Sequence, residues 1–437
     1  MPPQNHENAM ISPARGYGTR SVPTTFGGTT LDVNVCIVIL VRMIGHVDAD
    51  CFYVSAERVR FRHLCGVPTC VLGNHGACII AKSYEAKAAG IKTGMPIWEA
   101  VPICPDAVYI KRDFEWYETL SRKMLAIVQS VSPLVEFYSI DEQFYLAREA
   151  TLAAARQLQQ RLLSCVGVPV SIGIAPTKTL AKLISDSSKP FGCGAVLNDF
   201  DRKRLLRSRP VTDVTGIAKR TAAKLAAHGI RTCDQLAAAD RAFIRWLLTK
   251  TGEDLWWELN GTAVLPVQVK RPAHKFISRG GSIGAASRDP ERIKAFVVRN
   301  VERLVEALAY YKVCCDHLTL TLLFKDAPER CGRCSLLGSR ADFDALLEAA
   351  LHLLPLTWQP RTASVHYMHV IAADLRPLTM RQRSLFERPQ LDDIKHKINN
   401  AVGRFALRSG ATLPLIDVYG DAANNYDICD IYGKSCF

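Results

Sequence analysis

The chain has 437 residues, of which 48% are hydrophobic and 22% charged. This composition excludes a disordered chain, a collagen-like chain and a small disulfide scaffold, and the length predicts about three domains. Lysine and arginine total 55 against 42 acidic residues, and the net charge of +13 indicates a polyanionic partner, either nucleic acid or an anionic membrane surface.

The first part of the chain alternates short strands and helices. Apolar runs predict strands over 43–47, 67–72 and 77–81, and helical spacing predicts helices over 51–62, 84–89, 97–101 and 116–131. Two strands, 135–138 and 143–146, then flank a tight turn, and a helix over 151–166, a strand over 170–174 and a helix over 177–187 follow.

The second part of the chain is predicted to contain a helical region, a linker and then alternating strands and helices. Residues 199–260 have helical spacing throughout, and 264–274, with two prolines, is predicted to be a linker. Strands over 276–283, 317–324 and 365–371 then alternate with helices over 291–311 and 342–354. This order predicts a small α+β domain whose sheet is covered by helices on one face.

Positive charge concentrates in the later parts of the chain. Residues 43–197 carry 16 basic and 14 acidic side chains, residues 198–270 carry 13 and 8, and residues 271–387 carry 17 and 12. This distribution is expected if a catalytic region with metal-binding carboxylates is followed by regions that bind a polyanion. Ordinary solvated surface charge remains the alternative.

The beginning of the chain predicts no membrane anchor. No stretch approaches the ~18 apolar residues of a membrane span, so no membrane is expected among the partners. Residues 1–42, rich in polar residues, glycine and proline, are predicted to be a disordered extension or a mis-assigned start. Met43 is then the natural first residue, because a strand begins there.

The 15 cysteines follow no framework spacing, and without a secretion signal they indicate reduced thiols in the cytoplasm. Cys331 and Cys334 are the one pair with metal-like spacing. A structural zinc ion would need two more ligands, for which Cys314 and Cys315 are candidates. No second pair has standard zinc spacing, so we expect no zinc site.

Three carboxylates stand where a sheet can bring them together. Asp48 ends the first strand, and Asp141 and Glu142 occupy the turn between two later strands. Along a regular strand neighbours face opposite ways, so a turn is needed to bring both to one site. Clustered carboxylates repel unless hard cations neutralise them, and two Mg²⁺ ions suit phosphoryl-type transfer. Surface turn carboxylates with no such role remain the alternative.

Two lysines are candidates for binding phosphate. Lys87 lies on the short helix that begins near Tyr84, and Lys189 follows the helix over 177–187. A lysine near a metal-bound triphosphate offsets negative charge as phosphate leaves. Taken singly, each of these lysines is equally compatible with solvated helix charge.

Four segments carry recognisable motifs: 46–53 (HVDADCFY), 81–92 (AKSYEAKAAGIK), 138–142 (YSIDE), and 171–182 followed by Lys189-Pro190. In sequence, order and spacing they resemble the motifs of the Y-family, or translesion, DNA polymerases. The resemblance covers 43–192 and is nearest to the bacterial branch of polymerase IV and the catalytic subunit of polymerase V. It implies an α+β fold of the right-hand polymerase type.

The resemblance also implies a metal site. Asp48, Asp141 and Glu142, with the backbone carbonyl of Ala49, would hold two Mg²⁺ ions. Glu142 matches the active-site carboxylate of the family.

Nucleotide contacts follow from the same matches. Tyr53 matches the steric gate, whose ring clashes with a ribose 2′-hydroxyl, and Tyr84, Lys87 and Lys189 would contact the triphosphate of a dNTP. Lys87 stands where the family commonly has arginine, and lysine lacks the bidentate fork.

The resemblance also implies a division of the chain into the domains of the family. The palm would comprise 43–50 and 112–197, the fingers 51–111, the thumb 198–263, a linker 264–275, the little finger 276–375, and a tail 376–437. Residues 43–387 are thereby accounted for, so no proofreading nuclease is expected within them.

Two further segments resemble binding motifs. Residues 214–225 resemble the thumb's helix-hairpin-helix, which would bind a DNA phosphate near Gly216, Ala218 and Lys219, although a plain αα-hairpin remains possible by pattern. The run QRSLF resembles the sliding-clamp peptide of bacterial polymerases, with these contact residues: Gln382, Ser384, Leu385 and Phe386.

We therefore expect a template-directed DNA polymerase of low fidelity that bypasses lesions, in the cytoplasm with the nucleoid. Its expected partners are primer–template DNA, dNTP, a sliding clamp and a candidate accessory subunit. The main alternative is a catalytically weak or dead, clamp-bound repair scaffold of the same fold. A basic DNA-binding repair protein without nucleotide chemistry is a third reading.

Overall fold

The computed structural model describes residues 43–73, 78–270, 272–360, 362–380 and 391–419. Within these ranges the strands are β1 (Met43–Ala49), β2 (Thr69–Leu72), β3 (Ile79–Lys82), β4 (Val108–Lys111), β5 (Val135–Phe137), β6 (Glu142–Ala147), β7 (Val170–Ala175), β8 (Cys193–Ala195), β9 (Phe276–Ser287), β10 (Val313–Phe324), β11 (Arg330–Arg340) and β12 (Val365–Pro377).

The α-helices of the same ranges vary from four to 22 residues in length. They are α1 (Phe52–Arg60), α2 (Tyr84–Ala88), α3 (Ile97–Ile103), α4 (Phe114–Val131), α5 (Leu152–Val166), α6 (Lys178–Ser187), α7 (Asp199–Leu206), α8 (Lys219–Ala226), α9 (Cys233–Ala238), α10 (Arg241–Leu259), α11 (Pro290–Tyr311), α12 (Phe343–Thr357), α13 (Leu391–Val402) and α14 (Ile416–Tyr419).

A five-stranded sheet in the order β5-β6-β1-β7-β8 is the centre of the first part. Strand β1 is antiparallel to both β6 and β7, and every residue of β1 is buried. Because successive side chains alternate between faces, Val47 packs with α4 and α5 on one side while Ile44 packs with α6 on the other. Two separate cores therefore cover the two faces of this sheet.

Local sequence signals define the helices of this region. The side chain of Thr151 caps α5 by accepting the backbone N–H of Ala154 at 3.1 Å, and Gly167 ends the helix with φ 82°. The buried residues of α5, which include Leu158 and Leu162, recur at helical spacing and face the sheet.

A small sheet in the order β3-β2-β4 follows α1 in the chain. Strand β2 is antiparallel to β3 and parallel to β4, so the chain crosses over through α2 and α3. Its separate core contains Leu72, Ile79 and Ile91.

Helices α7–α10 form an all-helical region that shares its core with α6. A buried carboxylate fixes this contact: Glu258 on α10 accepts the backbone N–H of Thr179 at 3.0 Å and those of Val264 and Leu265 at 2.9 and 3.0 Å. The hydroxyl of Thr177 also donates to the backbone carbonyl of Glu258 at 2.9 Å. The helical region is therefore tied directly to the helix that backs the central sheet.

The last sheet is antiparallel throughout, in the order β11-β10-β12-β9. Leu318, Leu320 and Leu322 alternate along β10 and point into a core formed with α11 and α12. The helices thus cover one face of this sheet.

Residues 391–419 pack against the outer side of α11. Phe405, Leu415 and Tyr419 join the core of the last sheet. Buried Glu302 on α11 anchors the segment by accepting the ammonium of Lys395 at 2.5 Å and the backbone N–H of Ser409 at 2.7 Å. These residues are therefore part of the folded body.

Most elements predicted from periodicity are confirmed, with ends shifted by a few residues. The sequence reading missed β4, β8 and β11. Strand β8 has three residues including a glycine, and β11 is an edge strand whose 11 residues include three arginines, two serines and two glycines. Neither strand has the apolar alternation of a half-buried strand. Strand β12 also runs six residues beyond its predicted end.

The arrangement of cysteines does not support a zinc site. Cys331 and Cys334 are three residues apart on β11, which puts them on opposite faces of the strand. Cys314 and Cys315 are buried, and each thiol donates to a backbone carbonyl at 3.5 Å. In the described ranges no cluster of metal-type ligands contains a cysteine.

Candidate active site

Strand pairing brings Asp48 and Glu142 together. They are cross-strand partners at the end of the β1–β6 ladder, although 94 positions separate them in the chain. Directly opposed residues of an antiparallel pair project to the same face, so both carboxylates point toward α6. Asp48 is buried and Glu142 is half-buried.

The turn between β5 and β6 places Asp141 at the same edge of the sheet. The backbone N–H groups of Tyr138 and Ser139 donate to the carbonyl of Glu142 at 3.1 and 3.0 Å. The Ser139 hydroxyl donates to Asp141 Oδ1 at 2.5 Å, and the Asp141 carbonyl accepts the N–H of Ala49 at 3.0 Å. The predicted turn is confirmed, and it ties Asp141 to the end of β1.

Two ammonium groups from α6 and the residues after it meet these carboxylates. Lys182 Nζ contacts Glu142 Oε1 and lies 3.9 Å from Asp48 Oδ2. Lys189 Nζ lies 2.7 Å from Asp48 Oδ2 and 3.2 Å from Asp186. The negative charge of the site is thus balanced by positive groups of the chain itself.

This balance shifts the protonation of the site. Burial, and then repulsion from Glu142, raise the pKa of Asp48 to about 8, against the opposing attraction of Lys189 and Lys182. Burial and Glu142 also raise the pKa of Asp141. Burial opposes the charge of Lys189, but Asp48 and Asp186 outweigh it and raise the pKa of that ammonium. Asp48 therefore needs more positive charge than the chain provides in order to be fully ionised at neutral pH.

An open cavity of about 310 Å³ lies beside the carboxylates, and these residues line it: Asp48, Ala49, Cys51, Phe52, Tyr53, Ile80, Ala81, Lys82, Thr93, Ile140, Asp141, Glu142 and Lys189. All four predicted metal-binding residues line this cavity, as do two of the predicted nucleotide-binding residues, Tyr53 and Lys189. The cavity has room for a small polar ligand next to the acidic cluster.

Aromatic neighbours hold Tyr53 at the cavity wall. Its ring stacks on Tyr117 with centroids 4.7 Å apart and rings 20° from parallel, and it contacts Phe114 at 5.8 Å. The Tyr117 hydroxyl in turn donates to buried Glu57 at 2.7 Å. The Tyr53 ring is therefore fixed by packing.

Tyr84 and Lys87 lie outside the cavity lining. The Tyr84 hydroxyl donates to Asp50 Oδ1 at 3.2 Å, and Asp50 also accepts the hydroxyl of Ser171 and the backbone N–H of Phe191. Lys87 is exposed on α2, because Ala86 takes the buried face of that short helix. Asp50 thus supports the site through hydrogen bonds, while Lys87 faces solvent.

Sequence reasoning did not select Lys82, Thr93, Lys182 or His46 as site residues. Lys82 Nζ donates to Thr93 Oγ1 at 2.8 Å on the cavity wall. Lys182 lies in the motif over 171–182, and its place in that motif is the sequence signal that could have identified it as a site residue. The contact from Lys182 to Glu142 depends on how α6 packs on the sheet, which periodicity does not specify.

The segment predicted to be a helix-hairpin-helix contains a glycine turn followed by α8. Gly216 has φ 100°, a conformation that favours glycine, and Ala218 precedes α8 without a side-chain cap on the helix. Gly216, Ala218 and Lys219 are all exposed. The start of α8 is thus exposed and has no side-chain cap, so its first backbone N–H groups are candidates for phosphate binding.

Several expectations fall on residues that the structure does not describe. The clamp-peptide residues Gln382, Ser384, Leu385 and Phe386 lie outside the described residues, and so do the proposed extension over 1–42 and the end of the tail over 420–437. Among the helices that are described, none has the length and apolar content needed to cross a membrane.

Comparisons with known proteins identify the family. The impB/mucB/samB family matches residues 47–186, and the C-terminal domain of that family matches residues 274–385. DNA polymerase IV 1 of Bacillus subtilis is 31% identical over 392 residues, which cover 85% of this chain and 93% of the relative. This chain belongs to the Y-family of DNA polymerases, in the polymerase IV and V branch.

Other relatives agree with this assignment. Protein ImpB of Salmonella typhimurium is 34% identical over 290 residues, covering 63% of this Y-family chain and 68% of that protein. A solved chimera of Y-family DNA polymerases superimposes with a TM-score of 0.64 at 21% identity, covering 76% of this chain and 98% of the other. DinB from Sulfolobus solfataricus has a TM-score of 0.50 at 22% identity with the same coverage. The expected α+β fold is confirmed.

Proposed function

We propose that this DNA-directed DNA polymerase adds dNTPs to a primer 3′ end by two-metal nucleotidyl transfer, with low fidelity and in the bypass of DNA lesions. The observation that carries the proposal is the cross-strand pairing of Asp48 with Glu142 beside Asp141, on the wall of one open cavity. Clustered acidic oxygens of this kind are the donor set that Mg²⁺ prefers.

The residues present fit a pair of hard cations. Asp48 and Glu142 are each paired with a lysine ammonium. Both carboxylates therefore already bind a positive charge at the place where a metal ion would lie. Asp48, Asp141, Glu142 and the carbonyl of Ala49 would hold the ions. Bound Mg²⁺ would neutralise charge at the reacting phosphate.

The chain's own side chains have further proposed roles around the cavity. Lys189, 2.7 Å from Asp48, would offset charge on a departing pyrophosphate. Tyr53, held by Tyr117, would exclude the 2′-hydroxyl of a ribonucleotide from the sugar position. Lys82 lines the same cavity and is a further candidate for phosphate contact. For Tyr84 and Lys87 a triphosphate contact requires a change from the present arrangement.

We propose that the central sheet with α4–α6 is the palm, the β3-β2-β4 sheet the fingers, α7–α10 the thumb and the last sheet the little finger. Ten of the thirteen net positive charges lie in 198–387, the proposed thumb and little finger. This distribution supports a grip on primer–template DNA by these two parts. A sliding clamp bound through 382–386, an accessory subunit and a location with the nucleoid in the cytoplasm complete the proposal.

The test is extension of a primed template with dNTPs and Mg²⁺. Wild type is expected to extend the primer, whereas the double variant Asp141→Asn with Glu142→Gln should lose at least about a hundredfold in rate, because ion-binding charge is removed while shape is kept. The variant Glu149→Gln, at an exposed carboxylate just after β6, is the matched control and should extend normally.

The alternative, a clamp-bound scaffold without strong catalysis, predicts a different result. A scaffold would bind primed DNA without extending it, and the double variant would then equal wild type. Extension that is insensitive to both substitutions would refute the proposed catalytic site. Lesion bypass is tested separately by extension across an abasic site, with an undamaged template for comparison.

A further inference from the structure

A buried histidine lies directly beside the acidic pair. His46 precedes Asp48 by two residues on β1, so both side chains project from the same face of the strand. His46 is completely buried, and its ring packs on Phe144 with centroids 4.4 Å apart. The imidazole is therefore held in one orientation next to the carboxylates.

Hydrogen bonding assigns the tautomer of this ring. His46 Nδ1 lies 2.7 Å from Ser185 Oγ, and the Ser185 hydroxyl donates its one proton to the backbone carbonyl of Lys182 at 2.8 Å. Ser185 must then accept from His46, so Nδ1 carries the proton and Nε2 carries the lone pair. Histidines that bind metals have this arrangement, in which the second nitrogen donates to a neighbour.

Among the described residues, none donates a hydrogen bond to the lone pair on Nε2. In the part of the chain that the structure describes, His46 Nε2 is buried and has no hydrogen-bond partner. A buried acceptor without a partner destabilises the fold, so such an atom calls for an explanation such as an ion.

The carboxylates that complete a site lie within reach. One nitrogen of His46, one oxygen of Asp48 and one of Glu142 all lie within 4.8 Å of one another. The ammonium of Lys182 is at the same place, in contact with Glu142 and 3.9 Å from Asp48. A cation of the chain itself thus lies beside the two carboxylates of this cluster.

We propose that His46 Nε2, Asp48 and Glu142 form a binding site for one divalent transition-metal ion, which displaces Lys182 and is preferred over Mg²⁺. The nitrogen ligand sets the preference, because Mg²⁺ favours oxygen ligands and keeps its waters, whereas imidazole suits transition metals. Mn²⁺ is the appropriate probe, because carboxylates suit it and the chain's many thiols compete for Zn²⁺. The site shares two carboxylates with the proposed Mg²⁺ pair but goes beyond it.

Mn²⁺ binding to the whole chain, without DNA or nucleotide, tests this site. Electron paramagnetic resonance counts free Mn²⁺, and pulsed measurements detect coupling to a directly bound ¹⁴N nucleus. Wild type is expected to bind one Mn²⁺ with ¹⁴N coupling, at least about tenfold more tightly than Mg²⁺ in competition. His46→Phe, which keeps a ring against Phe144, should abolish the coupling and weaken Mn²⁺ binding by at least about tenfold, while Mg²⁺ binding is unchanged.

Two further variants separate ligand loss from misfolding. Lys182→Met leaves all three ligands in place and removes the competing ammonium, so Mn²⁺ should bind about tenfold more tightly with the coupling retained. His63→Gln changes an exposed histidine and should match wild type in both measurements.

The proposal is overturned if wild type binds Mn²⁺ without ¹⁴N coupling, or if Lys182→Met binds Mn²⁺ no more tightly than wild type. Either result leaves the two-metal polymerase proposal intact, because Mg²⁺-dependent primer extension is measured separately. Conversely, if wild type binds Mn²⁺ with ¹⁴N coupling but does not extend a primer, the polymerase proposal fails while this metal site stands.

Discussion

Asp48 shares its surroundings with a second carboxylate and two ammonium groups, and its charge depends on their balance. Lys189 and Lys182 favour the ionised form, but burial and Glu142 outweigh them. The metal-free protein therefore holds a proton on this carboxyl over much of the neutral range. A cation that binds Asp48 must displace that proton.

The first residue-scale prediction concerns Mg²⁺ binding and pH. Because the pKa of Asp48 is raised to about 8, Mg²⁺ affinity should fall by about tenfold for each pH unit below 8. At pH 6.5, calorimetry in buffers of different ionisation enthalpy should show release of close to one proton. Asp48→Asn should remove this proton release, and a binding enthalpy independent of buffer in wild type would contradict the prediction.

The second residue-scale prediction concerns sugar selection by Tyr53. Its ring is fixed against Tyr117 at 4.7 Å, so it cannot easily move to admit an additional oxygen. Tyr53→Ala should raise the ratio of ribonucleotide to deoxyribonucleotide incorporation by at least about tenfold. Tyr53→Phe keeps the ring and is the matched control. An unchanged ratio in the alanine variant would mean that another group excludes the 2′-hydroxyl.

At the scale of elements, the position of α6 decides where the lysines of the site lie. Gly173 on β7 lets α6 approach closely: a Cβ there would come within 2.1 Å of the Ala181 carbonyl oxygen and 2.6 Å of the Ser185 backbone nitrogen. Both neighbours flank Lys182 on the same helix. A glycine on one strand therefore controls the distance between an ammonium and the carboxylates.

The element-scale prediction follows from that close contact. Gly173→Ala should lower the free energy of unfolding by at least about 2 kcal/mol, because the clash is with backbone and the helix must move. Gly410→Ala is the control: no atom lies within 4 Å of its Cβ position, so a change below about 0.5 kcal/mol is expected. Urea denaturation measures both, and equal stabilities would show that α6 can shift freely.

The sequence predicts single helices and strands better than it predicts the contacts between distant elements. The apolar run of β1 and the helix-forming residues of α5 predict both elements from their own segments, whereas the Thr151 cap of α5 was not predicted. The pairing of Asp48 with Glu142 joins two distant strands: their places at a strand end and at a turn allowed it, and the family resemblance indicated which carboxylates would meet. Edge strand β11 is held by backbone bonds to β10, which side-chain pattern does not report. The contact of Lys182 with Glu142 arises from packing of a helix on a sheet and was not predictable from spacing.

At the scale of the whole molecule, the acidic site and the excess of basic residues occupy different parts of the chain. The acidic site lies in the nearly neutral 43–197, and the basic excess lies in 198–387. Under the proposed function, DNA would be held by the basic parts while metal ions would be held by the acidic site. The clamp peptide over 382–386 would add a third, independent attachment.

The whole-molecule prediction separates that attachment from catalysis. Leu385→Ala with Phe386→Ala should abolish stimulation of primer extension by a bacterial sliding clamp, because apolar anchors are lost from a pocket on the partner. Basal extension without the clamp should be retained. Glu387→Ala changes an adjacent charge and should be stimulated normally. Stimulation that survives the double substitution would refute the proposed clamp contact.

The anchoring of residues 391–419 on α11 has a consequence for that contact. The backbone N–H of Leu378 donates to the carbonyl of Lys312 at 2.8 Å, and the ammonium of Lys395 donates to Glu302 at 2.5 Å. The described segments on both sides of the proposed clamp peptide are therefore attached to the folded body through α11 and its C-terminal end. A clamp that binds the proposed peptide would lie beside that body.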